Sequence, residues 1–384
     1  MLQPLNHDSL FSLQIEDADR LLGLNSFLDE LRVLLTPDDT QGRYAEAANE
    51  VDDNLCCPVT YEEDRLSHIP QDILEVDYGC GDPTIYAKNG DTVLDLGSGS
   101  GKHCFMLAKT VGESGRVIGV DKTPEMLLKS RNAVGEVMSR LGFAAPNVSF
   151  VHGNIENLRI DKDLLHAELE SSPITDYNSL EVLAQTLSSS PLIPNESIDL
   201  VVSNCVLNLV ADNRKRMLLD ELYRVLKCCG SVAISDIVAE GEVTEEMKAI
   251  PDLWTGCLAG AWRRDAFHAA FEQAGFIGMQ EVKSYFWKEV GGVPFHSVTI
   301  RAWKGDDSPC GPLTRSALYR GPFAEVADDE GHVFERGVWT PVCDDTADTL
   351  SREPYAGTFE VSPAAGESSA IPIAADDCCG PSCC

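Results

Sequence analysis

The chain has no apolar run approaching the roughly 18 residues that a membrane-spanning helix needs. Its first residues, MLQPLNHDSLFSLQIEDADR, lack both the basic region and the continuous apolar stretch of an export signal. A cytoplasmic location is therefore expected. Basic residues are scarce: 30 Lys and Arg stand against 62 Asp and Glu, for a formal net charge of −32. Phosphate backbones and anionic lipid surfaces require clustered cations, so neither nucleic acid nor membrane is an expected partner. No internal repeat is visible. Nor is there a Cys-x-x-Cys pair among the 14 cysteines, which removes the usual signatures of structural zinc and of dithiol oxidoreductases.

What is present instead is an excess of adjacent cysteines. Cys56-Cys57, Cys228-Cys229, Cys378-Cys379 and Cys383-Cys384 make four neighbouring pairs, where about half a pair would arise by chance at this abundance. In a cytosolic chain thiols stay reduced, so ligation or redox chemistry is expected of them rather than a disulfide framework.

Apolar residues at helical spacing from Leu10 to Leu35 predict one or two helices ending at Pro37. A polar, acidic linker over 37–54 completes an N-terminal segment, 1–54. From residue 91 strands and helices alternate: Thr92–Leu96, His103–Val111, Arg116–Val120, Pro124–Leu141, Val148–His152, Ile198–Ser203, Asn213–Leu226 and Ser231–Val238. This alternation predicts an α/β fold, a doubly wound and mostly parallel sheet with helices on both faces, over 55–291. A helical insertion is expected at 161–195. The runs Ser297–Ala302, Ala317–Tyr319 and His332–Phe334 predict a small C-terminal β appendage over 292–352. The remainder, 353–384, has the composition of a disordered tail and ends in cysteines.

The run DLGSGSG at 95–101 carries the first chemical signal. It is not a P-loop, because Leu96 and the His103 after Lys102 break that pattern. It is not a dinucleotide fingerprint either, because the glycines fall at 97, 99 and 101. A compressed turn of Gly97, Ser98, Gly99 and Gly101 after Asp95 suits a nucleoside without a pyrophosphate, its backbone touching the ligand where a Cβ would intrude. Asp121 ends the second strand, where an acid can accept hydrogen bonds from both ribose hydroxyls. Lys122 and Thr123 follow it, Asn154 and Ile155 are placed to flank the adenine, and Asn204 ends the fourth strand beside the same crevice. The turn looks like that of a class I methyltransferase using S-adenosyl-L-methionine.

Three cysteines stand alone in loops next to that crevice: Cys80 in YGCGDP, Cys205 in VVSNCVLNLV and Cys257 in LWTGCLAGA. Three thiolates can enclose a soft, thiophilic centre and leave its lone pair open on one side. With HGNIENL at 152–158, RVLKCCG at 224–230 and SDI at 235–237, the chain resembles the arsenite S-adenosylmethionine methyltransferase family over roughly 55–290. The resemblance implies that Cys80, Cys205 and Cys257 hold As(III), and that Cys56 or Cys57 joins in thiol exchange. It also implies methylation of arsenite or methylarsenite by in-line displacement, in arsenic detoxification. Transient disulfides of Cys80 with Cys56 or Cys57 would be recycled by glutathione or thioredoxin. The chain departs from the family pattern at Gly256, where an acid is expected, at Lys102-His103, and at Cys228-Cys229, where many methyltransferases have Pro-Gly. Two alternatives are a methyltransferase for another metalloid or a small organic acceptor, and a metalloid-sequestering protein with an idle nucleoside site. The intact Asp95, Gly97 and Asp121 argue against the second.

Overall fold

The computed structural model describes residues 18–36, 39–48, 61–76, 79–305 and 311–363. Cys56, Cys57, Cys310 and the four C-terminal cysteines lie outside the described residues. The chain divides into two compact units, Met1–Gly305 and Asp306–Cys384.

The first unit is built on strands β1 (Thr92–Leu96), β2 (Arg116–Asp121), β3 (Val148–His152), β4 (Ile198–Asn204), β5 (Leu226–Ala239), β6 (Trp262–Arg263), β7 (Phe276–Val290) and β8 (Val293–Lys304). They lie in the order β3-β2-β1-β4-β5-β8-β7, with β6 on β5. Every pairing from β3 to β5 is parallel, while β8 runs antiparallel to both β5 and β7. This is the expected doubly wound sheet. Its strands read as short apolar runs because both faces are buried. Leu94, Leu96, Val120 and Val201 pack with Leu218, Leu222 and Phe271 on one face. Val93, Val117, Leu200 and Val202 pack with Phe105, Leu107 and Leu127 on the other. The helix Pro124–Leu141 shows how local sequence sets the boundaries: Pro124 opens it, and Gly142, at φ +74, closes it in the left-handed conformation.

The segment 161–195 holds two helices, Lys162–Ser171 and Tyr177–Ser189. Asp161 caps the first by accepting from the backbone N–H groups of Asp163 and Leu164, and Asp176 with Ser179 forms a capping box at the second. Their apolar faces close on the helix Ala18–Leu35, so that Leu28, Leu31 and Leu34 share a core with Leu165, Leu169, Leu180, Leu183 and Leu187. The expected linker over 37–54 is corrected in part, because Asp39–Ala47 is a helix. Its polar sequence hid it, since several of its side chains serve a cavity rather than the core.

Two boundaries also move. Strands β7 and β8 are joined by Gly291-Gly292, with φ of +59° and +80° between the paired Val290 and Val293. Positive φ at both residues is the requirement of a two-residue hairpin of the primed type. The sequence suggests a domain end there, at 291; the sheet in fact continues to Lys304, and Ser297–Ala302 belongs to it. The second unit consists of the sheet β12-β9-β13 and the pair β10-β11, from β9 (Arg315–Tyr319), β10 (Glu325–Ala327), β11 (Val333–Glu335), β12 (Trp339–Val342) and β13 (Phe359–Val361). Ala317, Tyr319, Phe334, Val342 and Leu350 form its core. The expectation of a disordered tail from 353 is corrected for its first residues, since β13 pairs with β9 and Phe359 packs on Tyr319 and Phe334; the rest of it, 364–384, lies outside the described residues. Among the described residues no helix is long and apolar enough to cross a membrane.

Leu165 is fully buried between the insertion and the N-terminal helix. Leu165→Ala is expected to lower stability by about 2–5 kcal/mol, measured by urea denaturation.

Candidate active site

At the carboxyl end of β1 the chain turns through Gly97 and Gly99, both with positive φ, and enters the helix Lys102–Val111 at Gly101, φ +95. A Cβ on Gly97 would lie 2.6 Å from Val206 Cγ1, and one on Gly101 would lie 2.7 Å from Phe150 Cζ. Gly99 has nothing within 4 Å of that position, so its backbone is open to the space above. Asp121 holds the turn from the end of β2: its Oδ2 accepts from Gly99 N and its Oδ1 from Thr123 N, each at 2.8 Å. Asp95 Oδ2 accepts from Cys104 Sγ at 3.2 Å. Burial pushes both carboxyls up, Asp95 to about 7.

These residues border a cavity of about 520 Å³, within the range of cofactor and small-molecule sites. Asp95, Gly97, Ser98, Gly99, Asp121, Lys122, Thr123, Ile155, Asn204 and Cys205 all line it; Gly101 and Asn154 do not. Sequence reasoning missed the opposite wall, made by Thr40 and Tyr44 from the helix Asp39–Ala47, with Arg214 and Trp254. Arg214 is tied to Glu30 at 2.7 Å and Arg43 donates to Thr255, which fastens both N-terminal helices to that wall. Nothing in a polar nine-residue helix announces such a role. Ser98 Oγ and Asn154 Oδ1 are buried with no hydrogen-bond partner among the described residues. The orphaned Ser98 hydroxyl on the cavity wall, together with two buried acids, fits a polar and cationic ligand.

Cys80, Cys205 and Cys257 come from three separate segments into one buried apolar cluster with Ile237, Met247, Leu258 and Phe295. Cys205 reaches the cavity wall; Cys80 and Cys257 lie behind it. Cys205 and Cys257 have φ of +57° and +62°, a conformation that costs a non-glycine residue and collects at functional sites. Cys257 Sγ donates to Cys205 O at 3.0 Å. Cys80 is disulfide-bonded to Cys205, with Cα atoms 6.0 Å apart. Cys56 and Cys57, the expected partners of Cys80 in a transient disulfide, lie outside the described residues. The fold sets the Cys80 loop directly over the end of β4.

Asn204 makes that placement. Its Oδ1 accepts from Cys80 N at 2.8 Å and Gly81 N at 3.1 Å, and its Nδ2 donates to Gly81 O at 2.7 Å. Tyr285 and Ser297 both donate to Cys80 O at 2.7 Å. The approach is close enough that a Cβ on Gly79 would lie 2.3 Å from Asn204 Nδ2. The role of Asn204 is thus at least in part to hold the cysteine loop. A second clamp, also missed, centres on Asp236 in the SDI motif. It accepts from Leu207 N at 2.9 Å and Asn208 Nδ2 at 2.7 Å, and Asn208 Nδ2 also reaches Cys257 O at 3.3 Å. Gly260 lies against Asn208, where a Cβ would fall 1.9 Å from its carbonyl oxygen. Lys215 Nζ donates to Gly260 O at 2.6 Å.

The strand order, with the cavity beyond β1 and β4 where the winding reverses, defines a class I S-adenosylmethionine-dependent methyltransferase. A family model described as a methyltransferase domain matches residues 87–275, and one described as a domain of unknown function matches 306–381. The arsenite methyltransferase of Mus musculus is 31% identical over 341 residues, covering 84% of this chain and 81% of that protein. That of Halobacterium salinarum is 36% identical over 239 residues, covering 59% of this chain and 51% of that one. The crystal structure of an arsenic(III) S-adenosylmethionine methyltransferase from Chlamydomonas reinhardtii superposes with a TM-score of 0.54 at 27% identity, over 79% of this chain and 96% of that one. The chain belongs to the arsenite methyltransferase family.

Burial raises Asp236 from the ordinary 3.8 to about 6, against the lowering effect of its backbone hydrogen bonds and of Lys215. Between about pH 4 and pH 6 the folded protein keeps a proton that the unfolded chain releases, so this group's contribution to stability falls as pH rises and is level above that window. Asp236→Asn is expected to flatten that part of the decline, measured by urea denaturation across the same range.

Proposed function

We propose that this enzyme methylates trivalent arsenic held by Cys80, Cys205 and Cys257, as a step in arsenic detoxification. The observation that carries the reading is the convergence of these three cysteines, from remote segments, in one buried cluster that meets the nucleoside cavity at Cys205. Buried thiols in one cluster beside a methyl-donor site are the donor set for a soft trivalent centre. Of the alternatives, a different acceptor would leave the left-handed backbone at Cys205 and Cys257 without a purpose.

On this reading Asp121 accepts hydrogen bonds from the ribose hydroxyls, Ser98 offers its unpartnered hydroxyl, and Ile155 supplies an apolar surface for the adenine. Bound there, S-adenosylmethionine supplies a sulfonium methyl group, for which the arsenic lone pair is the in-line acceptor. No general base is needed, because the attacking atom carries no proton. The protein's contribution is alignment and exclusion of water, and alignment can account for roughly 7–11 kcal/mol of a barrier. Asn204 and Asp236 act by positioning the thiol-bearing loops.

The Cys80–Cys205 disulfide must open before three thiolates can act together. Two thiols of a reductant such as glutathione, or one thioredoxin dithiol, supply the two electrons: the disulfide becomes two thiols and the reductant becomes a disulfide. A reducing compartment, the cytosol, suits that cycle. Cys56 or Cys57 remains a candidate for the exchange.

Cys205→Ser or Cys257→Ser is expected to abolish arsenite methylation while leaving cofactor affinity near wild type, because a serine hydroxyl is hard and un-ionised. Product analysis by mass spectrometry with methyl-labelled cofactor, arsenite and a thiol checks the first part, and calorimetry the second. Wild-type rates in either variant would return these residues to the core and leave the acceptor open. Asp121→Ala should weaken cofactor binding by at least two hydrogen bonds to a charged group, about 1.5–3 kcal/mol each, again by calorimetry.

A further inference from the structure

Cys104 packs with the apolar core on one face of the sheet, yet its thiol has a polar partner. It stands on the first turn of the helix Lys102–Val111, fully buried, and its Sγ donates to Asp95 Oδ2 at 3.2 Å. Room for the sulfur comes from Gly119 on β2, the residue paired with Asp95 in the ladder: a Cβ there would lie 2.7 Å from Cys104 Sγ. The same Cβ would lie 2.7 Å from Ser98 Oγ, the orphaned hydroxyl on the cavity wall. Asp95 thus has a thiol on one oxygen while it borders the cavity beside a hydroxyl that still lacks a partner. A hydroxyl left unpaired at this depth is itself a sign of a ligand.

We propose that Cys104 is a positioning residue for the cofactor: its S–H, donated to Asp95, holds that carboxylate charged and aligned toward the positive charge of S-adenosylmethionine. The proposal rests on the assignment of the cavity to the cofactor, with Asp95 as part of its wall. Its physical basis is an opposition between burial and hydrogen bonding. Burial pushes Asp95 up to about 7, the Cys104 hydrogen bond pulls it down, and the nearby Asp121 pushes it up again. A donor to the charged form of an acid favours that form. Burial, with the Asp95 charge beside it, holds the Cys104 thiol well above its ordinary range, so it stays an S–H donor rather than a thiolate nucleophile. A cationic ligand binds the charged carboxylate, so whatever fraction of Asp95 is neutral must first release its proton to solvent. Affinity therefore rises with pH up to about 7 and levels off above it. Without the thiol, burial acts unopposed and the level stretch begins at a higher pH. Lys102 and His103 from the helix, Lys122 after β2, Glu156 after β3, and Arg214 and Lys248 on the far wall border the same cavity, so substitution has to assign the pH step to Asp95.

The test is calorimetry of S-adenosylmethionine binding to the full-length protein from about pH 5.5 to about pH 8.5. Cys104→Ala, Cys104→Ser and Asp95→Asn are each expressed as a ratio to wild type, in which the ligand's own titration cancels. Cys104→Ala is expected to bind roughly five- to tenfold more weakly than wild type at about pH 6 and to close that gap as pH rises. Cys104→Ser, which keeps an uncharged donor in place, should recover most of the loss. Proton release on binding, read near neutral pH from the dependence of the heat on the buffer, should rise in Cys104→Ala and fall in Asp95→Asn. A thiol that only fills space would lower affinity by one factor at every pH and leave proton release unchanged, and that result overturns the proposal. So does Cys104→Ala that matches wild type throughout, or Cys104→Ser that behaves as Cys104→Ala. An Asp95→Asn variant that keeps the wild-type pH dependence and proton release shows instead that Asp95 does not face the cofactor, and the proposal falls with that reading.

Discussion

Two buried side chains, the amide of Asn204 and the carboxylate of Asp236, hold the thiol-bearing segments in place. Asn204 ends β4, and its side-chain amide satisfies three backbone groups of the Cys80–Gly81 loop. Asp236, one strand over on β5, satisfies the start of the loop after Cys205 and orients Asn208, which reaches the carbonyl of Cys257. An irregular loop at this depth would otherwise leave unpaired N–H and C=O groups, each costly to bury. The sheet supplies rigid anchor points, and the two polar side chains convert them into positions for three sulfurs. Glycines at 79 and 260 are the steric side of the same constraint, since a Cβ at either would occupy the space of Asn204 or Asn208.

The cavity obeys a different logic. Its nucleoside wall is preformed by backbone: the turn at 97–101 is locked by Asp121 through a single hydrogen bond to Gly99, and the strand ends do the rest. Its opposite wall is borrowed from short N-terminal helices tied on by Arg214 to Glu30 and by Arg43 to Thr255. Behind these polar links at the rim the helix Ala18–Leu35 packs Leu28, Leu31 and Leu34 on the insertion, a smaller core than the two that cover the faces of the sheet. Local opening follows the weakest links in a structure, so ligand entry through the N-terminal side would disturb least.

Most strands and helices from Thr92 to Val238 could be read from sequence to within a residue or two, because a doubly buried parallel sheet writes itself as short apolar runs between capped helices; β5 is the exception, since it begins at Leu226 and not at the expected Ser231. The positions of Asp121 and Cys205 were legible for a related reason: the carboxyl ends of β2 and β4, where ligands of such sheets collect, are easy to find, whereas Cys80 and Cys257 lie in loops and were singled out by the motifs around them. The helix Asp39–Ala47 was not legible, since its polar side chains answer to a cavity that exists only after folding. The Gly291-Gly292 hairpin looked like a domain boundary, because a tight turn and a linker share the same residues. The pairing of Cys80 with Cys205 was out of reach for the plainest reason. It depends on Asn204 drawing together loops more than a hundred positions apart, which spacing alone does not record.

The surroundings of the three sulfurs constrain what they can bind. Three thiolates left bare among Ile237, Met247, Leu258 and Phe295 would place negative charge in an apolar cage, where burial favours the uncharged form of each group. Without a ligand the cluster must therefore stay protonated or become oxidised, and the disulfide between Cys80 and Cys205 is the second of these. On the proposed reading, trivalent arsenic resolves the conflict, since three thiolates on one trivalent centre sum to a neutral complex that the cage accepts without penalty. A divalent metal in the same place would leave a net negative charge in a low-dielectric pocket. On that reading the apolar lining selects by charge as well as by softness.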